Sequence, residues 1–172
     1  MAEKTIVPFG DPILRKVAKP VVDFNDRLAK LVDDMVDTLY AAEGRAGLAA
    51  PQIGILKRVV VMDCGDGLIE LINPEILESY GEQIGPEACL SLPGYTGIVK
   101  RTNYVKIKSS TRTGDSFILE AEEYLARCIQ HEIDHLDGIL YVDRIEGTSF
   151  YHDRSKRKAN LLEVLRLTNQ NV

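Results

Sequence analysis

The sequence predicts an α+β fold, with small antiparallel or mixed sheets packed around one central helix and a further helix toward each end. Three observations predict it. Leu28, Leu31, Val32, Met35, Val36, Leu39 and Tyr40 recur at i, i+3, i+4, i+7, i+8, i+11 and i+12, the pattern of a helix with one face on a core. The middle of the chain holds short apolar runs rich in Val and Ile, separated by turn residues, which read as strands. A second helical stretch, 122–136, carries "IQHEIDHL" and stops at Gly138.

The elements follow in order. "VPFGDPILRKVAKPV" holds Pro8, Pro12 and Pro20, so the opening is expected to run extended over the surface. Asn25 or Asp26 stands where the first helix needs an N-cap. "KRVVVMD" reads as a buried strand, and "LIELINPEIL" as two apolar stretches broken at Asn73–Pro74. "YVKIKSS" and "SFILEAEE" are joined by Arg112-Thr113-Gly114-Asp115, a hairpin signal. Gly138 takes the C′ position of the second helix. A last helix is expected over 155–167, with Leu161, Leu162 and Leu165 on one face.

With 172 residues, 45% of them hydrophobic, the chain is sized for one core, and a single domain over 1–172 is expected. A net charge of −5 argues against general binding to DNA. No apolar run is long enough to cross a bilayer and the N-terminus lacks the apolar core of a signal peptide, so no membrane partner is expected. Cys64, Cys89 and Cys128 are odd in number and widely spaced, which suits thiols in a reducing cytoplasm, not a disulfide framework.

His131 and His135 lie four apart, so on a helix both can reach one ion. Glu132, one step round, can stand beside that ion without ligating it and serve as a general base toward a water. The bland alternative is a chance pattern of core histidines, but the chain has three histidines and two are here. The third ligand stays open on spacing alone. His152 is too distant for H-E-x-x-H-x-x-G-x-x-H, Glu146 and Glu163 have no motif around them, and Cys89 by itself is weak, since free cysteines are usually small buried hydrophobes.

Three segments together resemble the peptide deformylases: "GLAAPQIG" (47–54), "EACLS" (87–91) and "QHEIDHLDG" (130–138). "GDPILRKVAKPV" resembles that family's opening, so the likeness spans nearly the whole chain. It implies Cys89, His131 and His135 as ligands of one divalent metal, iron(II) natively with zinc, nickel or cobalt as substitutes. Three protein ligands leave a position open, the mark of a catalytic site. It further implies removal of the formyl group from the initiator N-formylmethionine of nascent peptides by metal-activated water, releasing formate. Glu132 would move the protons, and Gln52 and the backbone N–H of Leu90 would meet the oxyanion. Gly47 would let the substrate backbone approach, and Cys128 would help line the pocket for the methionine side chain. Glu87 and Arg101 are expected to pair in the cleft wall.

Two departures from the family pattern stand out. Ala88 replaces the glycine of E-G-C-L-S, which strains the backbone if that position needs a positive φ and narrows the cleft if it needs only clearance. Arg45 replaces the first glycine of G-x-G-L-A-A, with Gly44 one place earlier. Two rival readings are an H-E-x-x-H metalloprotease and a degenerate, non-catalytic homologue. From His152 onward there are five basic residues and two acidic, net +3 against −8 in the rest of the chain. That is a solvated helix face or a contact to ribosomal RNA where new chains emerge. A monomer is expected.

Overall fold

The computed structural model describes residues 3–168. Helix α1 spans Asp26–Tyr40 and is capped by Asn25, whose side chain accepts from the backbone N–H of Arg27 and Leu28. Leu28, Leu31, Val32, Met35 and Leu39 are its buried stripe. Strands β1 (Gly47–Ala49), β2 (Val59–Met62), β3 (Ile69–Tyr80), β4 (Gln83–Cys89), β5 (Leu92–Arg101), β6 (Tyr104–Ser110) and β7 (Ser116–Glu122) lead to α2, Glu123–Leu136. Strand β8 (Ile145–His152) and helix α3 (Leu161–Thr168) follow.

Two sheets result, ordered β1-β2-β3-β6-β7 and β4-β5-β8. Every strand pairing in them is antiparallel. Among the described residues, the parallel contact is a lone bridge between Lys19 and Lys57. The larger sheet lies between two helices, and β2 shows why its residues are all apolar. Val59 and Val61 face α1 with Leu28, Val32 and Met35, while Val60 and Met62 face α2 with Ala126, Ile129, Ile133 and Leu136. Successive side chains point to opposite faces, and both faces are covered. The smaller sheet has its own core of Val99, Phe150, Tyr141, Leu14 and Val164.

The opening segment does more than cover the surface. Val7 N–H donates to the Gln52 carbonyl at 2.8 Å and Phe9 N–H to the Ser91 carbonyl at 2.9 Å, so it stitches the two sheets together. Its own Leu14 and Ala18 are buried in the core. Asn73–Pro74 does not break the strand it interrupts. β3 runs through it with a register shift between Ile72 and Glu75, Asn73 has φ 51°, and its side chain pairs with the Val21 backbone at 2.7 and 2.8 Å. Asn tolerates that conformation and Pro is at home in a bulge.

The C-terminal expectation needs correcting. Residues 145–152 form β8, 155–160 are not helical, and α3 begins at Leu161. Its inward face is Leu161, Val164, Leu165 and Thr168, while Leu162 points to solvent. The basic residues Arg154, Lys156, Arg157 and Lys158 therefore sit on the β8–α3 turn instead of one helix face.

Candidate active site

The cleft lies between the two sheets, at one edge strand of each, β1 and β4. Its volume is about 460 Å³, and α2 closes its floor with Tyr124, Arg127, Cys128, His131 and Glu132. Cys89 ends β4, where the chain reverses through Leu90 and Ser91 so that Cys89 pairs with Leu92. That reversal aims the thiol at α2.

Cys89, His131 and His135 each offer a ligand atom, and these atoms lie within 4.8 Å of one another. Cys89 Sγ is 3.4 Å from His135 Nε2. Metal bonds of about 2.0–2.3 Å at tetrahedral angles place ligand atoms roughly 3.3–3.8 Å apart, so the donor set fits one ion. His131 Nδ1 is 2.9 Å from Glu87 Oε2, which holds the ring and leaves Nε2 free, as supporting carboxylates do for metal-binding histidines. The other candidates from the sequence are elsewhere. His152 packs on Tyr95 with ring centroids 4.7 Å apart, and Glu146 and Glu163 are exposed, on β8 and α3.

Two carboxylates flank the trio in opposite settings. Burial alone would raise the Glu87 carboxyl. Its bonds to Arg101, at 2.8 and 2.9 Å, and to His131 overcome that and hold it well below the usual carboxylate range. Glu132 is also buried, its Oε2 has no hydrogen-bond partner, and burial pushes its carboxyl up to about 7. Gly47 makes room for it, since a Cβ there would collide with the Glu132 carboxylate. Clearance for Glu132 is thus a reason for this glycine that the sequence did not disclose. The two imidazoles also diverge. Burial opposes a charge on both. Hydrogen bonds with Cys89 and Glu87 nonetheless raise His131 well above its ordinary value, whereas burial and the neighbouring His131 lower His135 well below it.

Gln52, on the short helical turn after β1, is buried but lines the cleft. Its Oε1 accepts the Ala49 N–H at 2.9 Å, which turns Nε2 toward Cys89 Sγ and Ser91 Oγ, each at 3.4 Å. Leu90 and Cys128 also line the cleft. All eight site residues read from the sequence therefore converge on this one region. Missed were Arg127, Asp134 and Arg144. Arg127 Nη1 donates to Glu87 at 2.9 Å and to the Val99 carbonyl at 3.0 Å. Asp134 joins Arg101 to Arg144. A signal existed, because Arg127 precedes His131 by four residues and so shares its helix face.

Ala88 is exposed on the cleft wall and has no positive φ; among the described residues the non-glycines with one are Asn73, Glu123 and Lys156. The strain alternative is therefore excluded and the clearance alternative remains. Gly44 has φ 78°, so the turn's glycine has moved one place earlier. Arg45 is tied back to the Thr38 carbonyl and to Glu3.

A helix-borne His-Glu-x-x-His facing a cysteine across an open cleft belongs to the class of metal-dependent hydrolases. The polypeptide deformylase family model matches residues 3–150, and the chain belongs to that family. It is 57% identical over 147 residues to the peptide deformylase of Heliobacterium modesticaldum, covering 86% of this chain and 97% of that one. With the Acetivibrio thermocellus peptide deformylase it shares 55% identity over 160 residues, 93% and 94% of the two chains. The crystal structure of the Thermotoga maritima peptide deformylase superposes with a TM-score of 0.82 at 44% identity, over 84% of this chain and 99% of that one. The Thermus thermophilus peptide deformylase does so at 0.83 and 38% identity, over 97% and 98%. The protein is a metal-dependent amide hydrolase that removes the N-formyl group from nascent peptides. The metalloprotease reading falls with this.

Proposed function

We propose that Cys89, His131 and His135 hold one divalent metal ion, iron(II) in the native protein, and that Glu132 carries the protons of deformylation. The observation behind this is the placement of Glu132, buried beside the three donors with one carboxylate oxygen unpartnered. When bound, the ion supplies Lewis acidity, lowering the pKa of a water and polarising the formyl carbonyl. Glu132 takes the proton of the attacking water and returns it to the departing amine. The Gln52 side-chain amide, fixed by its bond from Ala49, donates to the developing oxyanion, and the Leu90 N–H is the second donor. The substrate backbone pairs with the free edges of β1 and β4 as an added strand, passing Gly47. Its methionine side chain enters the pocket beside Cys128.

Zinc, nickel and cobalt suit the same donors. Iron is favoured by supply in a reducing cytoplasm, where we place the protein, and by its ready acceptance of a fifth ligand. Cys89 is buried but lines the open cleft, so an iron thiolate there can meet oxygen and oxidise. Iron-loaded protein should therefore be highly active without oxygen and fade within hours in air. The nickel form should last and the zinc form should turn over more slowly. Air-stable iron protein with unmodified Cys89, or zinc fastest of the set, would overturn the iron assignment.

We further place ribosome contact on the basic β8–α3 turn, with the protein acting as a monomeric, single deformylase domain over 1–172. Among the described residues no helix is long and apolar enough to cross a membrane. Charge reversal at Arg154, Lys156, Arg157 and Lys158 should abolish salt-sensitive co-sedimentation with ribosomes. Unchanged co-sedimentation counts against that contact.

A further inference from the structure

One charge on the cleft wall is left over by the chemistry. Of the charged side chains that line the cleft, Glu87 and Arg127 pair with each other and Arg45 pairs with Glu3. His131 and Glu132 belong to the reaction. That leaves Asp153. It lies past residue 150, where the match to the family model ends, and is the one acidic residue between Glu146 and Glu163.

The turn that carries Asp153 is held at several points. Tyr151 bridges Lys158, the Ala159 N–H donates to the Phe150 carbonyl at 2.9 Å, and the His152 N–H donates to the Arg157 carbonyl at 2.9 Å. Asp153 is itself fixed to β5. Its N–H donates to the Gly94 carbonyl at 2.9 Å, and its Oδ1 accepts from the Thr96 hydroxyl. Among the described residues Oδ2 has no hydrogen-bond partner and no basic side chain pairs with the carboxylate. Arg154, Lys156, Arg157 and Lys158 follow directly in the chain, but all four are exposed, and Arg154 and Arg157 line a separate hollow with His152.

We propose that Asp153 is a specificity-determining residue, favouring substrates with a lysine or arginine at the second or third position, just behind formyl-methionine. Gly94, to which Asp153 is bonded, stands two residues from Leu92, the pairing partner of Cys89. Two residues of chain span at most about 7 Å. A peptide whose formyl carbon lies at the metal donors covers the same distance by its second or third residue, each adding about 3.4 Å. The cation must come from a side chain, because formylation has removed the charge of the amino terminus. Thr96 holds one carboxylate oxygen and leaves the other for the substrate, so the group is oriented beforehand. Asp153 is half-buried at an open cleft, so its pairing has the modest strength of a rim ion pair. The inference rests on the reading of this cleft as the peptide channel.

The test uses nickel-loaded whole protein and amidated peptides formyl-Met-Ala-Ala, with lysine or glutamate in place of either alanine. Turnover of the uncharged peptide is measured first, so that a failure of the deformylase reading shows separately. At one of the two positions the wild type should favour lysine over glutamate by about three- to tenfold in kcat/KM, one exposed ion pair gained and one like-charge contact avoided. The preference should lie in KM, with kcat alike to within about twofold, since the pair forms away from the reacting carbonyl and holds ground and transition states equally. Added salt should shrink it. Asp153→Asn keeps an acceptor for Thr96 and should bring the ratio to within about twofold of unity, and Asp153→Lys should reverse it. Binding of the same peptides to the Glu132→Ala protein, by calorimetry, should show the same order without turnover. Equal use of lysine and glutamate at both positions by the wild type would overturn the proposal. So would a preference that survives in both Asp153 variants, or one confined to kcat.

Discussion

Glu87 and Glu132 stand beside the same three donors, both buried, and their surroundings could hardly differ more. Glu87 is clamped by Arg101, Arg127 and His131, with Arg101 tied through Asp134 to Arg144. Glu132 has an oxygen with no partner and a carboxyl raised to about 7. A carboxylate surrounded by cations cannot give up its charge at neutral pH, so it can orient a ligand but cannot carry a proton. A carboxylate poised near neutrality can carry one. Position beside the metal donors does not decide the role; the neighbours do.

The sharpest way to break this contrast is at Glu132. Glu132→Ala should retain metal, measured by elemental analysis, and lose at least about 100-fold in kcat, the usual scale for a general acid–base group. Retention of more than about a tenth of the wild-type rate would remove Glu132 from proton transfer. Replacing Cys89, His131 or His135 by Ala should instead lose both metal and activity.

Stability should move the opposite way at the two acids. Glu87→Gln leaves Arg101 and Arg127 as buried charges without their shared partner, a loss of about 3–5 kcal/mol. Metal affinity should fall roughly 10- to 100-fold as His131 loses its support. Glu132→Gln should do the reverse in metal-stripped protein. The folded-state value of Glu132 lies above its unfolded one, so its contribution is fully present below about pH 4.5 and is lost as pH rises through about 7. His131, Glu87 and Arg101 are the charged groups that act on it. At pH 8 the glutamine variant should therefore be more stable than wild type by about 1–3 kcal/mol, by urea unfolding. A less stable Glu132→Gln protein would mean that Glu132 has a partner after all.

How much of this was legible in the sequence follows from which signals are periodic. Helices α1 and α2 were, because their apolar residues recur with the helical period, and so was the β6–β7 hairpin, through Gly114. Strands β4, β5 and β8 were not. Pro86, Pro93, Gly85 and Gly97 interrupt the alternation that marks a strand, and Gly97 is there because a Cβ would run into Ile145 of β8. Three leucines suggest one face, but the buried positions of α3 are Val164 and Thr168, four apart, and that face leaves Leu162 exposed. At the site, spacing gave two histidines and an acid. The cysteine needed a motif 42 residues upstream, since no local period links β4 to α2. The clamp on Glu87 was half visible, with Arg101 anticipated and Arg127 hidden in an otherwise unremarked helical face.

The smallest effect is expected at Ala88, which sits on the Glu87 side of the cleft, next to Cys89. Its side chain is exposed and its backbone φ is ordinary, so replacing it by glycine relieves no strain. Glycine adds backbone freedom to the unfolded chain, and Ala88→Gly should cost about 0.5–1 kcal/mol in stability. Removing one methyl from the cleft wall should raise kcat/KM for formyl-methionyl peptides with a bulky second residue by no more than about fourfold, the equivalent of one methyl group's transfer energy. Peptides with alanine at that position should hardly respond. A rise beyond tenfold for both peptides, or a gain in stability, would show that Ala88 disturbs the Glu87–Cys89 segment itself. The rigid half of the site would then be under tension, contrary to its hydrogen bonding.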